Sequence, residues 1–234
     1  MGMSYFIFGS VNSLNFNCIA ADVNQFDGAR KSVEKIKVPG RNGELSIFDG
    51  SYENIEIVYT AYIKGDVKRN VDALKAALNA ESGYLRLGDD FRPETFRLAR
   101  YIDAFTVDAS DKEGATMSIR FDCDPRRFLK SGKQYHVFTA SGQINNATRF
   151  EAKPLIRAFG TGTFTIQDTA VRIDSASGYT DIDCELQEAY KGTENCNDNI
   201  ILTNGSFPVL APGTNNIYLS GITEIDIQPR WWTI

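Results

Sequence analysis

The run Asp181-Ile182-Asp183-Cys184-Glu185 sets three carboxylates at alternate positions. On a strand, that spacing puts all three on one face. A retaining glycosidase needs two carboxyl groups roughly 5 Å apart, one to protonate the leaving group and one to attack. A strand presenting Asp183 and Glu185 would supply such a pair. The same alternation equally describes an outward polar face, with Ile182, Cys184 and Leu186 turned to the core. Sugar chemistry also calls for an aromatic platform, and both tryptophans lie far away, at Trp231 and Trp232.

Other catalytic chemistries are short of parts. His136 is the one histidine, so a Ser-His or Cys-His mechanism would have to use it as its base. It lies in Gln134-Tyr135-His136-Val137-Phe138, an alternating run that reads as a strand carrying the imidazole on one face. The cysteines Cys18, Cys123, Cys184 and Cys196 form no CxxC pair. With no export signal, they read as reduced thiols. Scattered cysteines and one histidine make no soft-ligand cluster, so neither a metal nor another cofactor is expected. Gly9, Gly40, Gly43 and Gly160-Thr161-Gly162 open no helix and precede no Gly-Lys-Ser or Gly-Lys-Thr, so they read as turns and not phosphate loops. A net charge of −5 argues against nucleic-acid binding by phosphate neutralisation. No apolar run approaches the roughly 18 residues of a spanning helix, so no membrane insertion is expected.

The elements that must position these residues are mostly strands. At 234 residues, 42% hydrophobic and 24% charged, the chain has the length and composition of one large β domain or two ordinary domains. One segment has helical period: Asp66–Ala80, with Val67, Val71, Leu74 and Leu78 on one face and Lys68, Arg69, Asp72 and Lys75 on the other. Asp66 is its expected N-cap and Ser82-Gly83 its stop. Strands are expected over 32–38, Ile55–Ile63, 84–87, 96–101 and Ala115–Cys123. Helix and strand do not alternate repeatedly, which argues against a parallel doubly wound sheet.

Turn residues crowd Pro125–Ala152, and a domain boundary is placed there, giving units 1–134 and 135–234. Beyond it, short strands are expected at 154–159, 163–166, 170–173, 181–186, 199–202, 216–219 and 224–227. Gly160, Gly162, Ser175, Ser177-Gly178, Lys191-Gly192, Asn204-Gly205 and Ser220-Gly221 separate them, in the manner of a β-sandwich. The chain closes on Pro229-Arg230-Trp231-Trp232. Alternation there turns one tryptophan inward and the other towards a neighbour or solvent.

Several of these segments, taken in order, resemble a known family. They are Pro39-Gly40-Arg41-Asn42-Gly43; Gly83-Tyr84-Leu85; Phe121-Asp122-Cys123-Asp124-Pro125-Arg126-Arg127-Phe128; Pro154-Leu155-Ile156 with Gly160-Thr161-Gly162; Asp183 with Tyr190-Lys191-Gly192; and the terminal Phe207–Ile217 and Pro229–Trp232 segments. Their order and spacing resemble the distal tail proteins of siphophages that infect Gram-positive bacteria, over nearly the whole chain. The resemblance implies a mainly β protein. Its N-terminal domain would be a β-sandwich or β-barrel-like ring former with one α-helix, and its C-terminal domain a galectin-like or carbohydrate-binding-module-like β-sandwich. It implies a non-enzymatic part of a phage or prophage tail tip, made in the host cytoplasm and assembled into the virion. Six copies would close a ring joining the tail-tube protein to the tail-associated hub or fibre protein. The C-terminal domain would carry receptor-binding or baseplate proteins. Interface candidates are Arg41 and Asn42 in the early loop, Lys68 and Arg69 on the helix, the Arg126-Arg127 corner, and Trp231 with Trp232. The alternatives are a carbohydrate-binding adhesion module and a β-sandwich hydrolase using Asp183 and Glu185.

Overall fold

The computed structural model describes residues 3–24, 26–102, 105–111, 113–174 and 178–234. Ser175 and Ser177, read above as turn residues, lie outside them. The chain is mainly β, with one α-helix among the described residues. It divides into two compact units, Met1–Arg127 with Ile234, and Phe128–Thr233.

The first unit is built on a large antiparallel sheet. Its main path runs Val11–Asn12, Phe6–Phe8, Leu85–Asp89, Thr95–Arg100, Gly114–Leu129, Ile55–Lys64 and Cys18–Val23. The central pair is Ile55–Lys64 against Gly114–Leu129, in register from Gly114 opposite Lys64 to Cys123 opposite Ile55. Strict alternation of apolar residues fixes that register, because a one-residue slip would turn every core side chain outward. Met117, Ile119, Phe121 and Cys123 are fully buried, opposite a strand that buries Ile57, Tyr59, Ala61 and Ile63. Phe6, Phe8, Tyr59 and Phe121 form an aromatic knot, with ring centroids 5.0 to 6.0 Å apart in tilted and edge-on pairs.

The helix Val67–Ala80 covers part of this core through Val71, Leu74 and Leu78. Asp66 caps it, accepting the backbone N–H of Arg69 at 3.2 Å. The expected helix is therefore present, with the expected cap and buried face.

The second unit is a sandwich of two antiparallel sheets. One orders His136–Phe138, Glu224–Gln228, Leu155–Phe159, Tyr179–Asp183, Glu188–Lys191 and Glu194–Asn195. The other orders Gly142–Asn146, Gly213–Ser220, Gly162–Ile166, Thr169–Ile173 and Ile200–Leu202. Ile156, Ile182, Ile225 and Ile227 from the first sheet meet Phe164, Ile166, Val171 and Ile217 from the second in one core. Phe128 to Lys133 group with this unit. Leu129 packs on its core, and the Gly132 carbonyl accepts the Arg230 N–H at 2.8 Å.

Candidate assembly surface

Six exposed large apolar residues gather on one hairpin in the first unit. Lys31–Lys37 pairs with Glu44–Tyr52 as a two-stranded sheet of its own. The tip is Val38 to Gly43, where Gly40 and Gly43 take φ of 79° and 83° with open space around each Cβ position. The chain between two alternating runs therefore reverses without strain. Opposed pairs are Val33–Phe48, Glu34–Ile47, Lys35–Ser46, Ile36–Leu45 and Lys37–Glu44. Alternation sorts them into two faces. Ile36, Leu45 and Ile47 share one face, and Val33 and Phe48 lie on the other among Lys35, Lys37 and Glu44. All five apolar residues, and Val38 beside them, remain exposed at 36 to 45%. A two-stranded hairpin in water is marginal on its own, and exposed apolar residues gathered on one element mark a surface that associates.

The sequence-derived interface residues fall in places of different kinds. Arg41 and Asn42 sit at this hairpin's tip, exposed. Lys68 and Arg69 are exposed on the first turn of the helix. Arg126 is tied down: its Nε and Nη2 donate to both oxygens of Asp124, at 3.0 and 2.8 Å. Arg127 is 7% exposed and lines a small cavity with Arg92 and Arg97. Burial, reinforced by those neighbouring guanidiniums, lowers its pKa to about 10.

Both tryptophans pack within the second unit. Trp231 is 7% exposed in the sandwich core. Trp232 stacks on Phe150, with ring centroids 4.3 Å apart, and its Nε1–H donates to the Glu151 carbonyl at 2.8 Å. Of the two placements expected from alternation, the inward one is Trp231. Trp232 spends its aromatic face on a side chain of its own unit.

The carboxylate run behaves differently from its spacing. The strand ends at Asp183, so Glu185 is not on its face and lies exposed in the following turn. Leu186 is 63% exposed and does not face the core, which corrects the outward-face reading as well. The physical reason is local. Asp183 Oδ1 accepts the backbone N–H groups of Glu185 and Leu186 at 3.0 and 3.1 Å, and this turn bends the chain off the sheet.

Each buried acid of the run is matched to an arginine. Arg157 donates through Nε and Nη2 to Asp181 at 2.7 and 2.9 Å. Arg230 donates through Nη1 and Nη2 to the two oxygens of Asp183, each at 2.7 Å. Burial alone would raise the Asp183 pKa, but the Arg230 guanidinium and the two turn N–H groups outweigh it and hold the carboxyl below its ordinary value. Such a group cannot serve as a proton donor near neutral pH.

His136 lies exposed on the edge strand His136–Phe138. The four cysteines are buried and free. Among the described residues, no group of three or more His, Cys, Asp or Glu side chains gathers to hold a metal ion. No helix among them is long and apolar enough to cross a membrane.

Sequence reasoning missed the strand Glu44–Tyr52 and the cavity arginine Arg97. The hairpin had a signal: Pro39-Gly40-Arg41-Asn42-Gly43 stands between two alternating runs. Arg97 had none, because its cavity is assembled from distant segments.

No family model and no curated protein matches the chain. Among solved structures it is similar to the SPP1 Dit (gp 19.1) protein, which is described as a paradigm of hub adsorption apparatus in Gram-positive infecting phages. That match covers 100% of both chains at a TM-score of 0.78 and 14% identity. Over its whole length, then, the chain has the fold of the SPP1 Dit protein.

Proposed function

We propose that this protein is a structural distal tail protein of a phage or prophage tail tip. Copies of it close a ring, six by the family resemblance. The ring joins the tail-tube protein to a tail-associated hub or fibre protein. The second unit is a galectin-like or carbohydrate-binding-module-like arm that carries receptor-binding or baseplate proteins. The protein works by geometry and catalyses no reaction.

The observation that carries this reading is the full-length fold match to a phage hub protein. The hairpin Lys31–Tyr52 supports it from within the chain. An associating surface that lies on one element, and that its own unit leaves exposed, suits a head-to-tail contact repeated around a closed ring. The paired acids Asp181 and Asp183 also weigh against the hydrolase, since both carboxylates are committed to arginines.

The test is oligomeric state. Light scattering on the purified chain at high concentration should give a mass several times that of the 26.0 kDa protomer, and negative-stain images should show rings. A protomer that stays monomeric both alone and with its tail-tube partner would refute the reading.

A further inference from the structure

The sequence holds two Asn-Gly dipeptides, Asn42-Gly43 at the hairpin tip and Asn204-Gly205 after the strand Ile200–Leu202. Both are exposed. Gly43 and Gly205 take left-handed φ of 83° and 66°, each with open space around its Cβ position. By residue type, exposure and backbone the two sites are equivalent. Asn-Gly is a pair open to self-reaction, because glycine carries no side chain to shield its nitrogen from the preceding asparagine amide.

Hydrogen bonding separates them. At the second site Asn204 Nδ2 donates to the Asp168 carbonyl at 3.0 Å, and the Gly205 N–H donates to the Leu202 carbonyl at 3.2 Å. The attacking nitrogen and the amide it must attack are each held by the protein. At the hairpin tip the turn is closed by the Arg41 N–H on the Val38 carbonyl at 3.1 Å, which involves neither group. Among the described residues, the Asn42 side chain and the Gly43 N–H have no hydrogen-bond partner in the protein. Both are left to solvent, so the side chain can rotate onto the glycine nitrogen and a base can reach the proton there.

We infer that Asn42 is a self-modification site, where the asparagine becomes aspartate and isoaspartate. A base takes the Gly43 N–H proton, and the nitrogen attacks Asn42 Cγ. The Cγ–Nδ2 bond breaks, and Nδ2 takes up a proton and leaves as ammonia. One water then opens the cyclic imide. Addition at Cγ gives aspartate, and addition at the Asn42 backbone carbonyl gives isoaspartate. One amide and one water enter, one carboxylic acid and one ammonia leave, and nothing is oxidised or reduced. The product carries a new negative charge beside Arg41. The isoaspartate form also adds one backbone carbon to the reversal between Lys37 and Glu44, which are cross-strand partners. The inference stands apart from the tail-tip reading and can fail without it.

The experiment incubates the full chain at mildly alkaline pH and maps its peptides by mass spectrometry over time. Modification raises a peptide's mass by the NH2-to-OH difference, and electron-transfer fragmentation tells isoaspartate from aspartate. The native protein should convert Asn42 about thirtyfold faster than Asn204, since two hydrogen bonds must open before Asn204 can react. In denaturant those bonds are gone and the two rates should converge. Asn42→Gln, at an exposed position, should end the mass change at the tip and leave the Asn204 rate as it was, because the longer side chain must close a larger ring. An Asn42 that stays intact in the native chain while the denatured chain reacts overturns the inference. So do equal native rates at the two sites, and so does a ratio that persists in denaturant.

Discussion

Arg230 grips Asp183 with both terminal nitrogens, Nη1 to Oδ1 and Nη2 to Oδ2, each at 2.7 Å. The two residues are far apart in sequence, and Arg230 holds a left-handed φ of 59° to make the contact. Its own N–H is bonded to the Gly132 carbonyl, so three stretches of the second unit meet at this pair. A residue in that backbone region is strained unless its surroundings fix it. Here the bidentate pair and the following Trp231, anchored in the core, do so. What looks in sequence like one member of a catalytic pair is a structural tie.

Asp183→Asn should therefore destabilise the second unit by about 3 kcal/mol, because it leaves the Arg230 charge half-buried without its counter-ion. The pH dependence has a definite sign. The folded-state pKa of Asp183 lies below its ordinary 3.8, so its contribution is fully present above that value and is lost as pH falls through the folded pKa. Denaturant melts should show wild-type stability dropping below about pH 4 and the variant losing less over the same range. Parallel curves would rule the tie out as the source.

Trp232→Ala should cost about 2 kcal/mol, since it removes the stack on Phe150 and the hydrogen bond to Glu151 from a partly exposed site. Trp232→Phe should recover most of the stack and none of the hydrogen bond, leaving a loss near 1 kcal/mol. Urea melts followed by tryptophan fluorescence would read both, with Trp231 as the remaining reporter. If the alanine variant melts like wild type, the stack contributes nothing to the unit.

Legibility from sequence followed burial. The strands Ile55–Lys64 and Gly114–Leu129 and the helix Val67–Ala80 each have one face pressed into a core, and the core imposes the period that the sequence displays. The hairpin strand Glu44–Tyr52 was harder to see because it is exposed along its length, so no core sorts its residues into an inner and an outer set. Alternation carries the strand Tyr179–Asp183 on to residue 186, but a side-chain cap on two turn N–H groups ends it, and hydropathy carries no trace of that. The arginine cavity depends on residues 92, 97 and 127 meeting through long-range pairing, which spacing along one segment cannot reveal.

The thiols give a test of the first unit's packing. Burial pushes Cys18 and Cys123 up to about 12, far above the range in which a thiolate forms at neutral pH. Cys184 is raised by the same cause and Cys196 is also buried. A disulfide exchange reagent at pH 8 should modify none of the four in the native chain within minutes, and all of them in denaturant. A cysteine that reacts rapidly in the native protein would show that its part of the core opens.

Gly162→Ala should be among the most damaging small substitutions in the sandwich. Gly162 sits at φ 138°, and an added Cβ would lie 2.4 Å from the Ser220 carbonyl oxygen and 2.7 Å from the Gly221 carbonyl carbon. Both obstacles are backbone, so relief requires the two strand ends to part. A loss of about 3 kcal/mol is expected from combined clash and backbone strain. A thermal melt within a degree of wild type would mean that this end of the sheets yields freely.

Ile36→Lys with Leu45→Lys tests the assembly surface directly. The two residues are cross-strand partners on one face of the hairpin, and they are 36% and 39% exposed. Because neither is buried in the protomer, the pair should change monomer stability by no more than about 0.5 kcal/mol per site. Buried against a neighbouring copy, the same lysines would bring two desolvated charges into an apolar contact. Association should then weaken at least tenfold, about 1.4 kcal/mol, read as a shift of the light-scattering mass towards the protomer. Ser46→Lys, on the opposite face, separates the surfaces. If it disrupts assembly while the Ile36 and Leu45 double variant does not, the contact uses the face that carries Val33 and Phe48. If neither has any effect, the hairpin is not what joins the copies.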